Sequence, residues 1–120
     1  MQIGLDIIKI KRIAKSLENP RFLQRFFTEK ERVEFKNHNF KVESIAGAYA
    51  AKEAFAKCIG TGIRSFNLNE INLLHNSLGA PYLELTGSAK QIADERNLKF
   101  GVSISHTNDI AAAVVIGTKT

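Results

Sequence analysis

The sequence contains no tryptophan, two prolines, one methionine and one cysteine among 120 residues. Because Cys58 has no second cysteine to pair with, an internal disulfide framework and a cysteine-rich zinc module are excluded. No segment approaches the roughly 18 consecutive apolar residues that a membrane-spanning helix requires. The composition, 44% hydrophobic and 24% charged, is that of an ordinary globular protein rather than a disordered, collagen-like or coiled-coil chain. Length and composition together predict one domain over residues 1–120.

The N-terminal segment also lacks the features of a secretory signal peptide. Its apolar stretch is interrupted by Asp6 and Lys9, and no small-residue cleavage site follows. We therefore predict that this segment belongs to the fold and that the protein is cytoplasmic, without a membrane attachment.

Acidic residues are fewer than basic ones, 12 against 17, which gives a formal net charge of +5. Residues 1–36 hold nine basic and five acidic side chains and so contain most of this excess. A basic region favours an anionic partner, which could be a nucleic acid, a phosphorylated metabolite or an acidic protein. The alternative is a charged face that serves solubility alone.

Local patterns in the first part of the chain predict one strand and two short helices. Residues 4–13 mix β-branched and alternating polar residues, which predicts a strand or the end of one. Pro20 predicts the start of a short helix, since its missing N–H costs nothing in a first turn. Thr28 and Glu31 form a capping-box pattern, which predicts a helix from there to about Lys36.

The clearest helix is the alanine-rich stretch 42–59, ended by Gly60 and Gly62. In the second half, turn-forming residues separate segments with strand character. The predicted elements are strands at 69–75 and 81–86, a helix capped by Thr86 or Ser88 and ending near Arg96, and strands at 100–106 and 109–117. Helices followed by antiparallel strands predict an α+β fold, with helices packed on a mainly antiparallel sheet.

Two carboxylates stand out by their positions. Asp6 lies inside an apolar strand, where a carboxylate is costly to bury unless it is paired or binds a cation. Alternatively, Asp6 lies on the solvent side of an edge strand, or its side chain caps a nearby backbone group. Glu53 and Lys57 share one stripe of the long helix, and their alternative is an exposed i, i+4 ion pair. Two carboxylates suffice for Mg2+ if strand and helix pack together.

Two further motifs have a structural and a functional interpretation. The glycines of GTG, residues 60–62, follow a helix, whereas a phosphate-binding loop normally precedes one. They are typical of a helix C-cap with a tight turn. His106 ends a predicted strand next to Ser105, but no nucleophile elbow surrounds the pair. A histidine that hydrogen-bonds a ligand or the backbone is favoured over a catalytic base.

Five segments, taken together and in their order along the chain, are informative about the family: GLDIIKIKRI, RFFTEKE, AGAYAAKEAFAKCIGTGI, GAPYLEL and VSISHTNDIAAAVVI. In order, spacing and total length they resemble the bacterial holo-acyl-carrier-protein synthases, which are small 4′-phosphopantetheinyl transferases. Each fragment is a weak signal, whereas the combination is specific and spans nearly the whole chain.

The resemblance implies a reaction, in which the phosphopantetheine arm of coenzyme A moves onto a serine hydroxyl of apo-acyl carrier protein. Adenosine 3′,5′-bisphosphate is released, and the product supports fatty acid biosynthesis. By this resemblance Asp6 and Glu53 are Mg2+ ligands, and Lys57 contacts the transferred phosphate, so that Glu53 and Lys57 are the catalytic residues. The serine proton goes to Glu53 or to a metal-bound water, and both candidates remain open.

The same resemblance assigns binding residues and an assembly. The coenzyme A contacts it implies are Lys57, Gly60, Gly62, Pro81, Ser105 and His106. The carrier-protein docking residues it implies are Arg12, Arg21 and Arg25, because acyl carrier proteins are strongly acidic and complementary charge speeds encounter. A homotrimer with active sites at subunit interfaces is also implied.

Three positions depart from the family pattern. Ala48 stands where the family often has arginine, Ala80 where it usually has lysine, and Ile110 where it often has an aromatic residue. None of the three coincides with Asp6 or Glu53, so the departures bear on substrate affinity rather than on the reaction.

Two other functions compete with this one. A small basic nucleic-acid-binding module is permitted by the charge, but the sequence lacks the aromatic and basic spacing of an RNA-recognition motif and a clear helix-turn-helix. A catalytically dead assembly subunit is the other alternative. We therefore expect no nucleic acid partner.

Overall fold

The computed structural model describes residues 1–60 and 66–120 of the chain. The elements, in chain order, are β1 (Gln2–Lys9), α1 (Ile10–Ser16), α2 (Phe22–Phe26), α3 (Glu29–Asn37), α4 (Val42–Ile59), a 3-10 turn (Leu68–Glu70), β2 (Ile71–His75), β3 (Pro81–Leu85), α5 (Gly87–Glu95), β4 (Leu98–His106) and β5 (Ile110–Lys119). Strands β1, β5 and β4 form an antiparallel sheet in that order, and β2 pairs with β3 in a separate hairpin. The arrangement is the α+β fold that the order of elements predicts.

The inner face of the three-stranded sheet is covered by α4. Because side chains alternate along a strand, Gly4, Asp6 and Ile8 of β1 all point towards this helix. At Gly4 the helix comes so close that an added Cβ would collide with the carbonyl oxygen of Ala54 and lie 2.6 Å from the backbone nitrogen of Cys58. Glycine therefore sets the distance between β1 and α4, and this distance brings Asp6 beneath the helix.

The outer face of the same sheet is apolar and open. Ile3, Leu5 and Ile7 are 57%, 55% and 59% exposed, respectively. The register places Ile116 beside Ile3 and Val114 beside Leu5, so the apolar surface continues onto β5. One face of the sheet thus forms the core, and the other is an apolar surface in contact with solvent.

The helix signals are confirmed at α3 and α4. The Thr28 hydroxyl accepts the backbone N–H of Glu31 at 3.1 Å, and a Glu31 carboxylate oxygen accepts the N–H of Thr28 at 2.9 Å, which completes the capping box. Helix α4 spans the predicted residues and ends at Gly60, whose φ of 84° is the left-handed cap conformation.

The structure differs from expectation at α1. The pattern of residues 4–13 predicts a strand or the end of one, and β1 does end at Lys9, but a helix that the pattern does not predict begins at Ile10. Ile10 and Ile13 are three residues apart and both buried, so they fit a helical turn as well as a strand exit.

No helix in the described parts of the chain is long and apolar enough to cross a membrane.

Candidate active site

Asp6 and Lys57 form an ion pair between β1 and α4. The Lys57 ammonium donates to Asp6 Oδ1 at 2.9 Å and to the carbonyl oxygen of Leu5 at 3.1 Å. The Asp6 side chain is 15% exposed and that of Lys57 is 56% exposed, so the pair opens to solvent on the lysine side. Asp6 thus lies on the helix-covered face of an edge strand, and Lys57 binds Asp6 across the two elements rather than pairing with Glu53.

Glu53 lies one helical turn before Lys57 on the same stripe of α4, and Tyr49 lies one turn before Glu53. Burial, followed by the charge of Glu53 and by its hydrogen bond with the phenol, raises the pKa of Tyr49. The Arg12 guanidinium opposes this shift, and the charge of Asp6 adds a smaller rise. Both carboxylates therefore lie near one phenol at the junction of β1 and α4. The packing of strand on helix brings together the two residues that the sequence singles out.

Aromatic packing holds Tyr49 in place. Its ring stacks on Phe22 with centroids 6.0 Å apart, and meets the edge of Phe26 at 5.9 Å. Both phenylalanines belong to α2, so this short helix is anchored to α4 beside the carboxylates. The i, i+4 spacing alone places Tyr49 on the stripe of Glu53 and Lys57, whereas its contact with α2 depends on tertiary packing.

The three predicted docking arginines are exposed on the neighbouring helical segments. Arg12 lies on α1 in an open basic groove of about 700 Å³ that Lys9, Lys11 and Lys15 also line. Arg21 caps α2. Arg25 lies on α2 with its guanidinium 5.3 Å from the Phe26 ring.

The predicted coenzyme A contacts are spread over several elements. Gly60 follows α4, Pro81 opens β3, and Ser105 and His106 end β4. Because Ser105 and His106 are consecutive in a strand, they point to opposite faces of the sheet, with Ser105 on the apolar outer face beside Ala112. Gly62 lies outside the described residues.

The donor set at Asp6 and Glu53 fits magnesium. In residues 1–60 and 66–120 no cluster of three or more His, Cys, Asp and Glu side chains could hold a metal. Mg2+ needs only one or two carboxylates, since waters and substrate phosphates complete its octahedral shell. Two carboxylates do not make a zinc site, which needs three or four ligands, chiefly nitrogen and sulfur.

A second ion pair was missed in the sequence. Glu31 was assigned only to the capping box, and Lys52 was given no role, yet the two side chains form a fully buried ion pair between α3 and α4. The sequence does contain a signal for this burial, because Lys52 lies in a helix among apolar residues that are themselves buried, namely Ala51, Ala54 and Phe55.

Comparison with known proteins decides the family. The family model described as the 4′-phosphopantetheinyl transferase superfamily matches residues 2–115. This chain belongs to that superfamily. The resemblance noted in the sequence is therefore confirmed over nearly the full length.

Individual transferases of the superfamily match at both levels. The holo-[acyl-carrier-protein] synthase of Caldanaerobacter subterraneus subsp. tengcongensis is 45% identical over 116 residues, which are 95% of this chain and 91% of the relative. The structure of the Neisseria meningitidis holo-[acyl-carrier-protein] synthase matches with a TM-score of 0.91 at 33% identity, covering 98% of each chain. The Helicobacter pylori synthase, crystallised in complex with coenzyme A, matches with a TM-score of 0.85 at 35% identity, covering 97% of this chain and 99% of that one. The chain is an enzyme of the phosphopantetheinyl transferase class.

Proposed function

We propose that this enzyme transfers 4′-phosphopantetheine from coenzyme A to a serine hydroxyl of apo-acyl carrier protein, in a Mg2+-dependent reaction that supports fatty acid biosynthesis. The observation that carries the proposal is the junction of β1 and α4, where Lys57 pairs with Asp6 and Glu53 lies one helical turn before Lys57. The names of the relatives supply the carrier protein, and the coenzyme A complex of the Helicobacter pylori relative supplies the donor. One domain over residues 1–120 carries the activity.

In this reaction the serine oxygen forms a bond to the phosphorus that bears pantetheine. The bond from that phosphorus to the leaving group breaks, and adenosine 3′,5′-bisphosphate departs with the electron pair. Phosphoryl transfer of this kind depends on positioning and on neutralising charge at the phosphate oxygens. Lys57 supplies that charge, since its ammonium is half-exposed and Asp6 holds it in place.

Asp6 and Glu53 would hold the magnesium ion. When bound, the ion supplies positive charge to the diphosphate of coenzyme A and orients it. Within the described residues Asp6 is engaged by Lys57, whereas Glu53 has no ion pair. Glu53 is therefore the carboxylate to which we assign the serine proton.

The exposed arginines provide the docking surface for the carrier protein. Arg12, Arg21 and Arg25 lie on the helices that border Tyr49 and the two carboxylates. Attraction between this basic surface and an acidic carrier protein would speed the encounter and select the partner. Coenzyme A would contact Gly60, Pro81, Ser105 and His106. Gly62, which completes the predicted set, lies outside the described residues.

The apolar outer face of the sheet supports a homotrimer with active sites at the subunit interfaces. Ile3, Leu5 and Ile7 form a continuous exposed patch, which a monomer rarely maintains. Ser105, a predicted coenzyme A contact, lies on this same face, so a neighbouring chain that covered the face would place the binding site at the interface. A Leu5→Lys substitution should convert the trimer to monomer, as sedimentation equilibrium would show. The cytoplasmic location stays a prediction.

Intact-mass spectrometry of apo-acyl carrier protein incubated with the enzyme, coenzyme A and Mg2+ tests the proposal. We expect the mass of the carrier protein to increase by one phosphopantetheine, and the increase to disappear with EDTA and in Asp6→Ala and Glu53→Ala. Lys90→Met serves as control, because its ion pair with Asp94 on α5 lies outside the site. Full transfer by both carboxylate variants would refute the metal assignment, and no transfer to any carrier protein would refute the function.

A further inference from the structure

The Glu31–Lys52 pair is the most deeply buried charged contact among the described residues. Both side chains are fully buried, and the Lys52 ammonium donates to Glu31 Oε1 at 2.5 Å. The same carboxylate accepts the backbone N–H of Thr28 at 2.9 Å and that of Leu73 at 2.9 Å. The Lys52 ammonium also lies 4.8 Å from the centroid of the Phe27 ring.

These contacts join three elements at one point. Glu31 accepts N–H groups from Thr28, at the junction of α2 and α3, and from Leu73 on β2. Lys52, in the middle of α4, contacts the ring of Phe27 at the same junction. Lys52 immediately precedes Glu53, and consecutive helical residues point about 100° apart, since an α-helix has about 3.6 residues per turn. Glu53 therefore lies on the side of α4 next to the side that Lys52 joins to α3.

Stability alone gives no reason for such a pair. Two charges taken out of water pay a desolvation penalty, and apolar side chains of similar volume often stabilise a core equally well or better. In accordance with that penalty, burial raises the pKa of Glu31 and lowers that of Lys52, while the attraction between them opposes both shifts. Apolar contacts, however, have no preferred direction, whereas the carboxylate of Glu31 fixes two backbone N–H groups and one ammonium in defined directions.

Two of the predicted docking arginines, Arg21 and Arg25, lie just before the α2–α3 junction in the sequence. Phe27, which directly follows α2, is fully buried, packs edge-on against Phe35 at 5.0 Å and lies 6.3 Å from the ring of Tyr49 on α4, so α2 cannot shift on α4 without disturbing it. Arg21 and Arg25 lie within one short helix of this anchor. On the other side of the pair, Glu53 and Lys57 follow Lys52 on α4.

We propose that Glu31 and Lys52 are positioning residues, which hold the arginine-bearing helix α2 at a fixed distance from Glu53 and Lys57. The inference rests on the proposed docking role of Arg21 and Arg25. Through this pair the carrier protein, once docked on α2, presents its serine to the reacting groups on α4. None of the predicted coenzyme A contacts lies on α2, so a change in the position of α2 should leave coenzyme A binding unaffected.

The test is the double variant Glu31→Leu/Lys52→Met, which replaces both charges with apolar side chains of similar size. We expect the variant to stay folded at the assay temperature, as circular dichroism would show, with a lower thermal midpoint because the N–H groups of Thr28 and Leu73 lose their acceptor. We expect the KM for apo-acyl carrier protein and the Kd of fluorescently labelled apo-acyl carrier protein, measured by anisotropy, to rise by about tenfold, because small misplacements of positioned groups are costly. The KM for coenzyme A should stay unchanged.

A matched control is Lys90→Met/Asp94→Leu, which removes an exposed ion pair of the same type at 2.8 Å on α5. It should leave all these constants unchanged. Wild-type KM and Kd for the carrier protein in the Glu31→Leu/Lys52→Met variant would overturn the proposal, as would an equal rise in the KM for coenzyme A. Failure of the proposed function is distinct, because wild type would then transfer nothing. The anisotropy measurement would still report whether the pair governs carrier-protein binding.

Discussion

Helix α4 carries two lysines, five residues apart, that meet a carboxylate in opposite surroundings. Lys57 pairs with Asp6 at 2.9 Å and is 56% exposed, whereas Lys52 pairs with Glu31 and is fully buried. Each pair joins a lysine to a carboxylate, so the surroundings rather than the charges decide the role. An exposed ammonium can take a substrate phosphate without losing all its hydration, and a buried one can only hold the protein's own groups.

The two pairs also differ in what removal of one partner leaves behind. Without Lys57, Asp6 still has access to water at the edge of the sheet. Without Lys52, Glu31 is an uncompensated charge in the core, and such a charge costs about 3–5 kcal/mol. Loss of the Asp6–Lys57 pair, the open pair, should therefore lower catalysis. Loss of one partner of the Glu31–Lys52 pair, the buried pair, should lower stability.

The largest expected effect comes from removing the contact that creates the open pair. In Gly4→Ala the new Cβ meets the backbone of α4 at Ala54 and at Cys58, and neither can give way without separating strand from helix. We expect a loss of more than about 4 kcal/mol in the free energy of unfolding, measured by urea denaturation. Gly101→Ala is the control, because a Cβ there meets nothing within 4 Å. A stable Gly4→Ala variant would show that β1 does not depend on this close approach.

Breaking the buried pair on one side should give the next largest effect. Lys52→Ala leaves the Glu31 carboxylate unpaired, and we expect the free energy of unfolding to fall by about 3–5 kcal/mol. Urea denaturation with circular dichroism measures it. A loss below about 1 kcal/mol, the range of surface pairs, would remove the difference between the two lysines.

Breaking the open pair on the lysine side should hardly change stability. For Lys57→Met we expect a change of less than about 1 kcal/mol in the free energy of unfolding, since exposed ion pairs contribute little. Phosphopantetheine transfer should fall by about 100-fold or more, because the charge that neutralises the phosphate is gone. Single-turnover kinetics with intact-mass detection give the rate. Unchanged transfer would exclude Lys57 from the reaction.

The smallest effect concerns Cys58, the residue that follows Lys57. Burial raises the pKa of its thiol above the ordinary value of 9.0, although a backbone contact with Gly117 opposes the shift. Because the unfolded thiol then ionises at lower pH than the folded one, its contribution to stability is complete below 9.0 and is lost as the pH rises beyond that value. Measured at pH values from about 8 to about 10, wild type should lose slightly more stability than Cys58→Ala. A native thiol that reacts rapidly with Ellman's reagent near neutral pH would contradict the burial.

Signals within a few residues predicted much of the fold. The Thr28–Glu31 capping box, the alanine-rich helix with its glycine end and the strands that flank the NSLGA turn all form, because each depends on hydrogen bonds and conformations of neighbouring residues. The first of these strands begins at Ile71 rather than at residue 69, since a 3-10 turn occupies Leu68–Glu70. The start of α1 did not follow, since Ile8 and Ile10 fit the alternation of a strand, whereas Ile10 and Ile13 fit a helical turn. Only contact with α4 selects between them.

The sequence by itself determined the residue types of the site, the elements that carry them and, through the order of its motifs, the superfamily. Only the tertiary structure decided which lysine meets which carboxylate. Asp6 and Lys57 are 51 residues apart, and Glu31 and Lys52 are 21 apart. No local pattern links residues so distant. The packing of α4 on β1 at Gly4, and on the α2–α3 junction at Phe27, leaves one lysine open to a substrate and encloses the other.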